Sequence, residues 1–119
     1  GDGGFQMTLQ ELGTIMQNNI GVKIIILNNE YLGMVRQWQQ MFFEKRYSFT
    51  NIQSPDFVAL AASYNIKGVK VEKQEDLSKA LDQLLNTENA FLLEVKVAKE
   101  DNVFPMVPTG ASVAEIRLQ

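Results

Sequence analysis

The sequence predicts an α/β domain: a mostly parallel sheet flanked by helices. Two observations carry this. Helical and strand patterns alternate along the 119 residues, as they do where helices cross over between parallel strands. The segment Val22 to Leu27, V-K-I-I-I-L, is short, β-branched and nearly continuous, which is how a strand covered on both faces reads. With 45% apolar and 21% charged residues, the chain has the means for one compact core and the composition of a globular protein.

Gly1-Asp2-Gly3-Gly4 reads as a loop, because three glycines in four positions favour tight or left-handed backbone. Thr8 to Glu11 has the T-x-x-E form of a capping box, with Leu9, Leu12, Ile15 and Met16 recurring at helical spacing to about Asn18. Asn19 and Gly21 end that helix. The strand Val22 to Leu27 closes on Asn28-Asn29, and Leu32, Val35, Trp38 and Phe42 mark a second helix to about Lys45. Ser54-Pro55-Asp56 is a helix opening with serine as cap and proline at the first position; that helix runs to about Tyr64. A strand over Val69 to Val71, a helix over Glu75 to Leu85 and a strand over Phe91 to Val97 follow. The resulting division is a domain over 1–97 and an irregular tail over 98–119, the latter holding Pro105, Pro108 and Gly110.

The inventory of side chains narrows the chemistry. There is no cysteine and no histidine, so disulfides, thiolate sites, histidine acid–base work and serine–histidine triads are excluded within these residues. A net charge of −3 disfavours nucleic acid and anionic membrane as partners. The longest apolar run, Phe57 to Ala62, is far short of a membrane span, and no leader pattern is present. The expected location is cytoplasmic.

In a parallel α/β sheet, ligands bind beyond the carboxyl ends of the strands. Asn28-Asn29 stands directly after a strand. Gly1-Asp2-Gly3 would stand in the same place if a strand preceded it, and such a strand is expected upstream of Gly1. Asp2 and Asn29 then offer two hard oxygen ligands of the kind magnesium or calcium prefers, with Gly3 and Gly4 letting backbone amides approach a diphosphate. The plainer reading of the same residues is an Asx turn at Asp2 and an ordinary loop at Asn28-Asn29. Trp38, Met34, Met41, Phe42 and Phe43 read from pattern as packing residues, and Met41-Phe42-Phe43 is a triplet that one helical face cannot bury, so a second domain or subunit is expected over it. Glu44, Lys45 and Arg46 read as a solvated face. Glu30 is a weaker candidate for a base beside the metal.

G-D-G at 1–3, twenty-four residues, then N-N at 28–29 resembles the thiamine-diphosphate motif of thiamine-dependent enzymes. The neighbours sharpen it: K-I-I-I-L-N-N-E, then G-M-V-R-Q-W-Q-Q-M-F-F-E-K-R-Y, then S-P-D-F-V-A-L-A, with a tail F-P-M-V-P-T-G-A. Together these resemble the C-terminal, diphosphate-binding domain of the acetohydroxyacid (acetolactate) synthase catalytic subunits, over essentially the whole chain. The resemblance implies a thiamine-diphosphate-binding fold, truncated at its N-terminal side. It implies that Asp2 and Asn29 are side-chain ligands of magnesium and the carbonyl of Tyr31 a third. It implies that Gly3 and Gly4 hold the diphosphate, that Met34 and Val35 lie near the cofactor rings, and that Trp38 lines the pocket for the second 2-keto acid.

The reaction so implied decarboxylates pyruvate and joins the two-carbon unit to pyruvate or 2-ketobutyrate, in branched-chain amino-acid biosynthesis. The parent enzyme is expected to carry FAD on a central domain, to form a homodimer or tetramer and to engage a regulatory subunit. Its cofactor-activating glutamate is expected in an N-terminal domain outside these residues. These 119 residues alone are therefore expected to be inactive, with Gly1 to Phe5 loosely held. The alternatives are another thiamine-dependent decarboxylase or oxidase, or a noncatalytic α/β module that binds a metal–phosphate ligand or a partner protein.

Overall fold

A computed structural model describes residues 1–118; the last residue of the tail expected over 98–119 lies outside them. The chain forms the expected α/β arrangement: three parallel strands with helices on both faces. The elements are α1 (Asp2–Gln6), α2 (Glu11–Asn18), β1 (Lys23–Asn28), α3 (Gly33–Phe42), α4 (Phe57–Ser63), β2 (Lys67–Val71), α5 (Leu77–Asn86) and β3 (Phe91–Lys96), with short 3₁₀ turns at Gln74–Asp76 and Val113–Glu115. The sheet order is β1-β3-β2. Lys23 and Lys67 both stand opposite Phe91, and Asn28 opposite Lys96, so the carboxyl ends of the strands share one edge of the sheet.

The core lies on the two faces of β3, whose Phe91, Leu92, Leu93 and Glu94 are all buried. On one face Leu12, Ile26, Phe57, Ala61, Ile66 and Leu92 pack together, with Phe5 meeting Phe57 edge-on at 5.5 Å between ring centres. On the other face Val71, Ala80, Leu84, Phe91 and Leu93 pack beneath α5. Helix α5 covers β2 and β3 but does not extend over β1. Ile25 and Leu27 are therefore about half exposed, and the expectation of a strand covered on both faces is corrected for β1 within the described residues.

Three local expectations are also corrected. Gly1 to Gly4 is not an open loop: Phe5 N donates to Gly1 O at 2.9 Å and closes the first turn of α1, with Asp2 fully buried, so Gly1 to Phe5 is not loosely held. Thr8 and Glu11 form no capping box. A capping threonine must be extended, but residues 7–12 wind through successive i→i+3 turns, and α2 begins only at Glu11. The reciprocal pair occurs instead in the tail, where Ser112 and Glu115 cap Val113–Glu115. Ser54 does not cap α4; Asp56 does, accepting from Ala59 N at 2.9 Å. Asn19 ends α2 as expected, in the left-handed conformation at φ 51°.

The tail is fastened to α3 by amide and guanidinium groups. Gln37 grips the backbone of Val103 from both sides, accepting from its N–H at 2.8 Å and donating to its carbonyl at 3.0 Å. Buried Arg36 donates to Asn102 Oδ1 at 2.6 Å, and Arg117 lies over the Phe42 ring at 5.1 Å. Phe42 and Phe43 remain partly exposed, and Glu44, Lys45 and Arg46 are exposed.

Candidate functional site at the carboxyl edge of the sheet

The loop after β1 is set by two consecutive Asx turns. Asn28 Oδ1 accepts from Glu30 N at 3.1 Å, and Asn29 Oδ1 accepts from Tyr31 N at 3.1 Å. Glu30 takes the left-handed conformation that such a tight reversal demands, φ 58°. Its backbone is held by Ile52, whose N–H donates to Glu30 O at 3.0 Å, while Leu32 N donates to Thr50 O at 2.8 Å. The Glu30 carboxylate sits between Lys96 and Lys99, the latter at 2.8 Å. Hydrogen bonds from Lys96 and then Lys99 lower its pKa from the ordinary 4.5 to about 2, so it stays ionised and committed to those lysines rather than serving as a base. The Asx turns thus stand at Asn28 and Asn29 rather than at Asp2, which opens helix α1, and the turn at Asn29 leaves one lone pair of that oxygen for a ligand.

Asp2 approaches the same edge from α1. Ser54 Oγ donates to Asp2 Oδ2 at 2.8 Å, whereas Asp2 Oδ1 is buried with no hydrogen-bond partner. An unpartnered buried carboxylate oxygen costs about 1–3 kcal/mol or more unless something outside the chain occupies it. A hard cation is the natural occupant, and the donor set fits one. Among the described residues no three His, Cys, Asp or Glu side chains cluster. One carboxylate, one amide oxygen and backbone carbonyls suit magnesium, which keeps few protein ligands and fills its octahedron with water and phosphate oxygens.

A cavity of about 590 Å³ opens beside this corner, lined by Gly3, Gly4, Asn29, Tyr31, Met34 and Val35, with Leu27, Leu32, Val97 and Val103 behind them. Six of the eight residues named from sequence thus share one cavity, and Asp2 is buried next to it between two of its neighbours in the chain. Gly3 and Gly4 lie in the first turn of α1, where amides have no intrahelical acceptor. The walls leave little room at two glycines. A Cβ on Gly3 would come to 2.9 Å from Leu32 Cδ2, and one on Gly33 to 3.1 Å from Asn29 Nδ2. Trp38 is not in the cavity wall. It stands one turn along α3 from Met34, half-buried and stacked on Phe42 at 4.8 Å.

Two residues at this corner escaped the sequence reading. Ser54 reads as a cap, a role that Asp56 takes, and nothing in S-P-D reveals its bond to Asp2. Glu94 did leave a signal, a single carboxylate inside the apolar strand F-L-L-E-V, since a buried charge needs a partner.

A parallel sheet with a glycine-rich helix start, a carboxylate and an Asx-turn loop at its carboxyl edge defines a cofactor-binding α/β domain. The chain belongs to the thiamine pyrophosphate enzyme family, as its C-terminal TPP binding domain, with residues 1–95 matching. More particularly, it is 45% identical to acetolactate synthase isozyme 2 large subunit of Escherichia coli (strain K12), over 98% of this chain and 21% of that one. It is 49% identical to the mitochondrial acetolactate synthase of Schizosaccharomyces pombe, over 99% of this chain and 18% of that one. Among solved structures, a thiamine diphosphate-dependent 4-hydroxybenzoylformate decarboxylase of Rhodococcus jostii RHA1 superposes with a TM-score of 0.76 at 31% identity, covering 85% of this chain and 19% of that one. The chain spans about a fifth of the length of the curated relatives it matches. No helix among the described residues is long and apolar enough to cross a membrane.

Proposed function

We propose that these residues form the cofactor-binding part of an acetolactate synthase catalytic subunit, which decarboxylates pyruvate and joins the two-carbon unit to pyruvate or 2-ketobutyrate. The observation that carries the reading is the buried, unpartnered Asp2 Oδ1, in a residue flanked in the chain by Gly1 and Gly3, which line a cavity together with Gly4 and Asn29. Support for the reaction class comes from the 45–49% identity to acetolactate synthases over nearly all of this chain.

In this reading Asp2, Asn29 and the carbonyl of Tyr31 hold magnesium, and Gly3 and Gly4 donate their amides to the diphosphate. Thiamine diphosphate supplies, when bound, a nucleophilic thiazolium carbon. Met34 and Val35 give the cofactor rings an apolar bed, and Trp38 faces the second 2-keto acid. None of these side chains moves a proton. Their work is to fix position, and the cofactor-activating glutamate belongs to another domain of the enzyme. The proposal extends to a flavin bound mainly outside these residues, a homodimer or tetramer, a regulatory subunit, and a cytoplasmic location. Residues 1–97 act as the cofactor-binding unit with 98–119 as its tail.

The test uses the full-length protein that carries these residues, supplied with pyruvate, thiamine diphosphate and magnesium. Acetolactate as the main product supports the reading. Acetaldehyde alone would place the protein among simple decarboxylases, and failure to bind thiamine diphosphate would leave a noncatalytic module.

A further inference from the structure

We propose that Glu94 is a positioning residue for the loop at residues 28–31, acting through Asn28; the inference rests on the magnesium and diphosphate reading above and deepens it. Glu94 is on the central strand, 2% exposed, and its Oε1 accepts from Asn28 Nδ2 at 2.7 Å. Asn28, 3% exposed, has its other amide atom on Glu30 N. A carboxylate oxygen accepts and does not donate, so Glu94 obliges Asn28 to turn its NH₂ inward and its oxygen toward the loop. That orientation is the one the first Asx turn requires. A reversed amide would set Asn28 NH₂ against Glu30 N–H, two donors facing each other, and the turn that presents Asn29 and the Tyr31 carbonyl would lose its anchor.

The surroundings fit this role. Glu94 opens on a polar cavity of about 240 Å³ that also reaches Asn28, Glu30, Ser54, Lys70 and Lys96. Lys70 is the register partner of Glu94 on β2 and supplies the nearby positive charge. Ser54, on the same cavity, orients Asp2. One polar pocket thus joins both arms of the site: Ser54 steadies Asp2, and Glu94 steadies Asn28 and, through it, the Asn29 loop. A well-packed apolar residue at position 94 would serve the sheet equally well, which is why a carboxylate there is informative.

The experiment titrates magnesium into the full-length protein at fixed thiamine diphosphate, followed by calorimetry, for wild type, Glu94→Leu, Glu94→Gln and Asn28→Asp. Glu94→Leu should raise the half-saturating magnesium concentration about 10-fold or more, the size usual for losing a group that orients a metal ligand. Glu94→Gln, which keeps an acceptor oxygen, should stay within about threefold of wild type. Asn28→Asp keeps the turn acceptor but loses the donor to Glu94 and should resemble Glu94→Leu; it decides the matter if Glu94→Leu does not fold. In metal-free protein, hydrogen exchange at the Glu30 amide should speed up in Glu94→Leu and not in Glu94→Gln, with β2 unchanged. Unaltered magnesium dependence in Glu94→Leu or Asn28→Asp, or equal loss in Glu94→Gln and Glu94→Leu, overturns the role of Glu94. Wild type that binds thiamine diphosphate without magnesium dependence, or not at all, instead defeats the functional reading beneath it.

Discussion

Ser54 Oγ donates a 2.8 Å hydrogen bond to Asp2 Oδ2 across 52 positions of sequence, leaving Asp2 Oδ1 as a buried acceptor with nothing from the chain to accept from. One oxygen is thus used to aim the other. Ser54→Ala removes the aim without removing the ligand. In the full-length protein it should weaken magnesium-dependent cofactor binding about 10-fold, as the loss of a ligand-orienting partner does. Affinity equal to wild type would show that Asp2 is held by burial alone.

Asp2→Ala should be more severe for binding, about 100-fold or beyond, because it removes the buried carboxylate whose Oδ1 has no partner within the chain. Its effect on the metal-free fold should be small, under about 2 kcal/mol. The lost hydrogen bond to Ser54 is offset by relief of an unsatisfied buried oxygen. Calorimetry with cofactor and magnesium, beside urea unfolding of the metal-free protein, separates the two quantities. A large loss of stability with little loss of affinity would make Asp2 a structural residue.

Gly33→Ala tests the close wall of the cavity. The new Cβ would lie 3.1 Å from Asn29 Nδ2, so the amide must give way by a few tenths of an ångström. The helix itself should gain up to about 1 kcal/mol, since alanine is the better helix former. The expected outcome is a thermal midpoint at or above wild type with cofactor affinity lowered several-fold. A simultaneous rise in both would show that Asn29 has room to move.

Trp38 stands beyond the cavity wall, one turn from Met34, and the proposed function gives it the second 2-keto acid to face. Trp38→Leu should lower the preference for 2-ketobutyrate over pyruvate as acceptor, by an amount within the roughly 1–3 kcal/mol that one methylene is worth in an apolar pocket. Turnover on pyruvate alone should be largely kept. A competition assay with an unchanged product ratio would return Trp38 to a packing role against Phe42.

Phe57 is fully buried in the face shared by α1, α2 and α4, and Phe5 meets it edge-on. Phe57→Ala should cost about 3–5 kcal/mol in unfolding free energy. Because Phe5 belongs to α1, cofactor affinity should fall as well. A variant that loses stability but binds normally would show that α1 is positioned from β1 and Ser54 and not from the core.

Much of the fold was legible because its signals are local. The β-branched run at Val22 to Leu27, the helical spacing of Leu12, Ile15 and Met16 and the apolar strand from Phe91 each declare an element within a few residues. What failed were assignments with more than one local solution. Thr8 and Glu11 satisfy the capping-box pattern but lie in a run of turns, and Ser54 matches a cap while its hydroxyl is taken by Asp2.

The sequence by itself determined the α/β class and the placing of Asn28-Asn29 at a strand end, while Tyr31, Met34 and Val35 came to the site only through the resemblance to thiamine-dependent enzymes. The class and the strand end follow from periodicity and from short motifs whose chemistry depends on residue type. Tertiary structure alone decided that Gly1 to Phe5 is a helical turn, that Ile25 and Leu27 are uncovered because α5 does not extend over β1, and that Asp2 is oriented by Ser54 and Asn28 by Glu94. Each of the last two pairs joins residues more than fifty positions apart. A hydrogen bond acts over about 3 Å in space, and only the packed sheet brings such residues that close.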